Sequence, residues 1–220
     1  MLKPAFITTA AVGAVVLMSA TSASAHNYMT ALRAPANYMH DMETPVAHGC
    51  LAEDVVEVRV KIPDGVFRVT PTNTRDWEVE AEMRNVDPPV AGDGGRSITS
   101  TVDTIIWKNP AKGIPFNRLE GFKFRAKLPN EPGRVLFWQM VNICADSRDP
   151  YTDLPEQALD IKDSEFGEKF EAFMGSTAHP APYTVLYEAD MPQYPWEWSA
   201  EHMKNIGMTV TPSEQTAEAK

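Results

Sequence analysis

From Val55 the chain alternates in hydrophobicity: Val56, Val58, Val60 and Ile62 fall on one side, and Glu57, Arg59 and Lys61 on the other. A period of two built on β-branched residues predicts a half-buried strand. Pro63-Asp64-Gly65 predicts a turn, and Val66, Phe67 and Val69 open another extended piece. Trp77 to Met83 alternates again, which predicts that Trp77, Val79, Ala81 and Met83 share a buried face.

The breaker-rich stretch "DPPVAGDGGRS" reads as a surface loop. Further strands are predicted at Ile98 to Trp107, at Gly121 to Leu128 with Phe122, Phe124 and Ala126 inward, and at Arg134 to Cys144. Short runs separated by Pro and Gly, with no helical period, predict an all-β, immunoglobulin-like antiparallel β-sandwich, because each sheet alone would leave an apolar face in water.

After Cys144 the pattern changes. Phe166, Phe170, Phe173 and Met174 recur at helical spacing, with Glu165, Glu168, Lys169 and Glu171 between them. One short amphipathic helix is expected over Ser164 to Met174, started by Asp163 or Ser164 and stopped by Gly175. Tyr194-Pro195-Trp196-Glu197-Trp198 either caps the sandwich or meets a partner, and the polar end "PSEQTAEAK" is expected to be disordered.

The first 25 residues change the picture of where such a sandwich works. They carry one cation, Lys3, no acid, an apolar run and the small-residue end Ala23-Ser24-Ala25, the pattern of a secretory signal peptide. Cleavage between Ala25 and His26 is expected to leave a protein that is periplasmic or secreted, and no later segment has the ~20 apolar residues of a membrane span. Without Lys3, 19 Lys and Arg face 30 Asp and Glu, a net charge of -11. Such acidity disfavours nucleic acid and anionic membranes as partners. Cys50 and Cys144 are the two cysteines. In an oxidising compartment a disulfide is the default, and a thiolate pair for a metal is the alternative.

Candidate chemistry gathers near the expected cleavage point. A processed His26 carries a free α-amine beside its imidazole, and the two nitrogens can close a chelate ring, a donor set that suits Cu(II). The plain alternative is a mobile polar N-terminus. His40, His48, Met29, Met39 and Met42 follow within the next 25 residues. In a strand, however, His40 and Met42 face away from Met39 and Asp41, so the four cannot grip one ion, and a methionine is more often core. There is no Gly-rich phosphate loop and no HExxH, and Ser97, Ser147 and Ser164 lack a histidine at a recognisable spacing.

An ordered set of motifs resembles a known family. It comprises Ala25-His26, His48-Gly49-Cys50, the run Val58 to Val66 followed by Val69-Thr70-Pro71, Trp77, Ile105-Ile106-Trp107, Leu119 to Phe124, and Val135-Leu136-Phe137 leading to Cys144. The family is that of the YcnI-like copper-binding domains, exported bacterial proteins formerly classed as a domain of unknown function. The resemblance divides the chain into a signal peptide (1–25), a β-sandwich domain (26–155) and a C-terminal extension (156–220).

It implies a mononuclear Cu(II) site at the mature N-terminus. His26 would hold the ion through amine and ring, with a carboxylate such as Glu120, and with an aromatic wall for which Tyr151 and Trp107 are the candidates. His48 is either a further metal ligand or a residue that fixes the backbone around Cys50. The chain departs from the family at "GDGGRS", where a His-Gly pair is usual, at Asp76 ahead of Trp77, and at Tyr151, which stands where tryptophan is usual.

The expected role is copper storage, trafficking or homeostasis, holding the ion rather than transforming a substrate, with a copper chaperone or an envelope copper transporter as partner. Two alternatives stand beside it. One is a copper-dependent oxygen-activating enzyme, which would need His40 or His48 as a second histidine; the other is a metal-free interaction module that uses the C-terminal aromatic segment.

Overall fold

The computed structural model describes residues 27–46, 50, 53–92, 95–115 and 118–207. The expected signal peptide, His26, His48 and the polar end after Pro212 lie outside them. Strands β1 (Arg33–Pro35), β2 (Met39–Val46), β3 (Val55–Lys61) and β4 (Phe67–Pro71) come first. A long hairpin follows, β5 (Glu78–Ala91) and β6 (Ser97–Lys108), and then β7 (Glu120–Lys127) and β8 (Val135–Phe137). After β9 (Met140–Cys144) and β10 (Arg148–Tyr151) come helix α1 (Phe166–Ser176), strand β11 (Tyr183–Tyr187) and the short helix α2 (Ala200–Asn205).

One five-stranded sheet has the order β10-β9-β3-β6-β5, and two three-stranded sheets have the orders β2-β7-β4 and β1-β11-β8. Proline placement follows this order. Pro35, Pro45, Pro71, Pro88, Pro89 and Pro150 all stand in strands at a sheet edge, while the central strands β3, β6, β7, β9 and β11 contain none. A residue that cannot donate to the ladder is tolerated only where one side of the strand has no neighbour.

The core lies between the layers. Phe122, Phe124 and Ala126 of β7 are buried as their alternation predicts. Phe122 meets the rings of Trp77 and Trp107 at 4.9 and 5.2 Å, and Phe124 meets Trp138 at 5.5 Å. Aromatic side chains from both layers therefore interlock across the middle of an immunoglobulin-like sandwich.

The structure corrects the sequence reading in several places. The expected loop "DPPVAGDGGRS" is largely strand: β5 runs on to Ala91, and its ladder slips between Asn85 and Val90, where Pro88 and Pro89 offer no donor. Ala81 and Met83 are exposed rather than buried, because β5 is an edge strand. The stretch from Arg134 to Cys144 is two strands in different sheets, parted at Trp138 and Gln139, with the Trp138 indole donating to Thr184 Oγ1 at 3.1 Å. The sandwich is not wholly antiparallel, since β1 and β11 pair in parallel. A parallel pair needs a long connection, and these two strands are separated by most of the chain.

Residues after 155 contribute a strand and a second helix, α2, as well as the expected one: β11 lies between β1 and β8. Helix α1 begins at Phe166 rather than at Ser164, because Asp163 Oδ1 takes up the Glu165 amide at 2.9 Å in a preceding turn. It also runs through Gly175 to Ser176 and stops where Thr177 turns to extended backbone and its hydroxyl bonds Asp153. None of its residues is fully buried; Phe173 and Phe170 rest edge-on against Phe137 and Tyr183.

Candidate metal site at the disulfide end

Strand β9 places Met140, Asn142 and Cys144 on its inward face. Two of these are expected of a core strand, but the amide is costly there unless it is paired. Its partner is Asn27, whose Nδ2 donates to Asn142 Oδ1 at 3.0 Å, with the reciprocal Asn142 Nδ2 bond at 3.4 Å. Asn27 itself is buried, as is Met29, while Tyr28 between them is exposed. The chain that leaves position 26 is therefore packed into the sandwich, with Thr30 N donating to Glu43 O at 2.9 Å as it runs beside β2.

The disulfide Cys50–Cys144 stands at the same place, with its Cα atoms 6.1 Å apart. Cys50 N donates to Cys144 Sγ at 3.0 Å, and Cys50 Sγ lies 3.8 Å from the Asn142 carbonyl oxygen. The bridge removes the thiolate-pair alternative. Glu53 braces the adjoining turn, its Oε2 accepting from Asp146 N at 3.1 Å and from Ser147 Oγ at 3.0 Å. Asn142 thus bonds Asn27, next after His26, and lies in contact with Cys50, two residues after His48.

Glu120 opens β7 directly opposite Val46 at the end of β2, and it shares a face with inward Phe122. It is partly exposed, and among the described residues no ion pair or side-chain hydrogen bond engages its carboxylate. In the five-stranded sheet Val58 pairs with Asn142 on one side and Trp107 on the other, so Trp107 stands two strands from Asn142 at the same level. Trp107 is fully buried, and its Nε1 has no hydrogen-bond partner among the described residues.

Tyr151 stands on β10, the strand next to β9. It pairs with Met140, one inward step away from Asn142 along β9, and its hydroxyl donates to Asp149 Oδ2 at 2.6 Å. Burial, reinforced by Asp149, pushes that phenol well above the ordinary tyrosine range. Glu120 thus stands at the β2 end that leads to Cys50, Trp107 two strands from Asn142 at its level, and Tyr151 on the edge strand next to β9, one inward step from Asn142.

His40 is half-buried opposite Ala126; desolvation lowers its pKa, with Asp41 opposing the shift. Met42 is fully buried in the core, as is Met29. Among the described residues there is no group of three or more His, Cys, Asp or Glu able to hold a metal ion. The Asn27–Asn142 pair stands outside the residues the sequence singles out; its signal is an amide at an inward position between Met140 and Cys144.

These features define a disulfide-closed immunoglobulin-like sandwich with its N-terminal segment built into the core at the bridged end. The chain belongs to the family described as "Domain of unknown function (DUF1775)", whose model matches residues 26–183, and this is the family of the YcnI-like resemblance. Among solved structures, an uncharacterized protein from Nocardia farcinica, described as having an immunoglobulin-like fold, is similar in fold. It has 13% sequence identity and a TM-score of 0.51, and the match covers 74% of this chain and 98% of that one. A protein from Corynebacterium diphtheriae described as membrane anchored matches with 9% identity and a TM-score of 0.35, over 62% of this chain and 35% of its own. No curated protein matches the chain. Among the described residues no helix is long and apolar enough to cross a membrane.

Proposed function

We propose that this protein works outside the cytoplasm, in the periplasm or secreted, as a copper-binding protein that holds or passes the ion rather than transforming a substrate. The observation that carries the reading is the Asn27–Asn142 pair. It fixes the residue next to His26 in the core beside the disulfide, so a cleaved N-terminus would start from an anchored position. Pre-ordering of that kind lowers the entropic cost of closing a chelate.

The residues present fit a cupric ion in chemical type. His26 would supply amine and imidazole nitrogen, and Glu120 a carboxylate that no other described group engages, a mixture of donors that Cu(II) accepts. Trp107 lies at the level of the anchor, with an N–H that no described residue takes up. His48 enters as a ligand or as a brace for Cys50. The donors Met29 and Met42 are packed in the core, which leaves Met39 as the more accessible thioether of the three.

The test is a titration of Cu(II) into protein that begins at His26 and into protein with one alanine placed ahead of it. Tight binding with nitrogen hyperfine structure in the first and its loss in the second is the expected result. Equal affinity in both overturns the proposal. His48→Gln, measured alongside, assigns that residue: loss of affinity with unchanged stability makes it a ligand, and loss of stability alone makes it a brace.

A further inference from the structure

A cleft opens between the last turns of α1 and the segment from Asp153 to Leu159, with a volume of about 700 Å³, within the range of small-molecule sites. Leu154, Pro155 and Leu159 form its apolar wall on one side, and Ala172 and Phe173 of α1 line the other. Its origin lies in how α1 is seated. Phe173 meets Phe137 edge-on at 5.5 Å and Phe170 meets Tyr183 at 5.0 Å, yet no residue of the helix is fully buried. The helix leans on β8 and β11 through this aromatic stripe and leaves its last turns standing off the segment opposite.

The segment opposite α1 is pinned at both ends. At one, Asp153 accepts from the Thr177 hydroxyl and from His179 N at 3.2 Å. At the other, Val135 N donates to Leu159 O at 3.0 Å, and Ile161 N donates to Gly133 O at 2.9 Å. A cleft held open in this way spares a ligand much of the cost of ordering its site. The charges on the rim decide which ligand fits. The one cation of the wall among the described residues, Lys169, is already engaged, its Nζ lying 2.6 Å from Asp163 Oδ2 and 3.1 Å from Glu165 Oε2. Glu156 is exposed, and among the described residues no ion pair or hydrogen bond engages its carboxylate. An anionic head group would therefore meet carboxylates and an occupied ammonium, whereas a cationic one would meet an open carboxylate.

We propose that this cleft binds a small cationic amphiphile, its alkyl chain lying between Leu154, Leu159 and Phe173 and its ammonium group at Glu156. The apolar walls supply the affinity by taking the chain out of water, and the carboxylate on the rim sets the preference for charge. The site is independent of the copper proposal and shares no residue with it.

The probe is N-phenyl-1-naphthylamine, a neutral apolar fluorophore, titrated into the metal-free protein and then displaced by dodecylammonium or by dodecanoate, each kept below its micellar concentration. Saturable enhancement at one site is expected, with dodecylammonium displacing the fluorophore at about fivefold lower concentration than dodecanoate. Ala172→Trp fills the cleft from an exposed helix position and should abolish the enhancement without lowering the melting temperature. Leu154→Gln, also at an exposed position, should weaken it and serves as the second variant if the tryptophan disturbs folding. Glu156→Gln should narrow the preference between the two head groups and leave the affinity for the neutral fluorophore unchanged. Absence of saturable enhancement, full binding in both cleft variants, or displacement by dodecanoate as effective as by dodecylammonium overturns the proposal.

Discussion

Asn27 and Asn142, 115 residues apart in sequence, share two side-chain hydrogen bonds inside the core, the shorter at 3.0 Å. The pair joins the start of the sandwich to the inward face of β9, one inward position from the disulfide. Replacing one member strands the amide of the other in an apolar setting. Asn142→Ala is therefore expected to cost about 1–3 kcal/mol, and a double-mutant cycle with Asn27→Ala should show favourable coupling. Urea denaturation of the four proteins measures both. If the costs of the two single changes simply add, the pair is not the anchor described.

The disulfide closes a loop of 94 residues in sequence. Chain-entropy arguments place the stabilisation from a loop of that size at about 4–5 kcal/mol. Cys50→Ser with Cys144→Ser should lower the unfolding free energy by an amount of that order. Reductant added to the wild-type protein should produce the same loss, and no effect on the double variant. Because Cys50 also meets the Asn142 carbonyl, coupling between this bridge and the amide pair is expected.

Much of this architecture could be read along the chain, and the exceptions have physical causes. The inward set Phe122, Phe124 and Ala126 followed from alternation because β7 is central and one of its faces is wholly covered. The same alternation misled at Ala81 and Met83, since a period of two says which residues share a face but not whether another layer reaches that face. Trp138 falls inside the predicted run Arg134 to Cys144; its place at the turn from one sheet to another involves Thr184, far along the sequence. The candidate site divides in the same way. Both cysteines are recognisable by residue type and form the bridge, while Glu120 enters by the family motif alone. The role of Asn27 depends wholly on a long-range partner, which no local pattern specifies.

The half-buried His40 makes stability pH-dependent. Burial, partly opposed by Asp41, lowers its pKa below the unfolded value of about 6.5. Above that value the imidazole is neutral in both states and contributes no slope. As the pH falls from about 6.5 through the lower folded value, the unfolded chain binds the proton more readily, so stability declines with acidification. Thermal unfolding between neutral and mildly acidic pH should show this decline, and His40→Gln should flatten it. An unchanged slope in the variant would assign the acid sensitivity to other groups.

Trp107 separates packing from polarity. Its ring is fully buried and meets Phe122 at 5.2 Å, while its N–H has no partner among the described residues. Trp107→Ala removes the ring and opens a cavity opposite Phe122, for which about 3–5 kcal/mol of lost stability is expected. Trp107→Phe keeps an aromatic body and removes an N–H that costs free energy to bury unpaired, so the smaller cavity is partly offset and the loss should stay below about 2 kcal/mol. The comparison also bears on the copper reading. If the indole N–H is used by a group that the bound ion brings in, Trp107→Phe will weaken Cu(II) binding while barely changing the stability of the metal-free protein. If both variants bind copper as the wild type does, Trp107 serves the core alone, and the aromatic wall has to be sought in other residues.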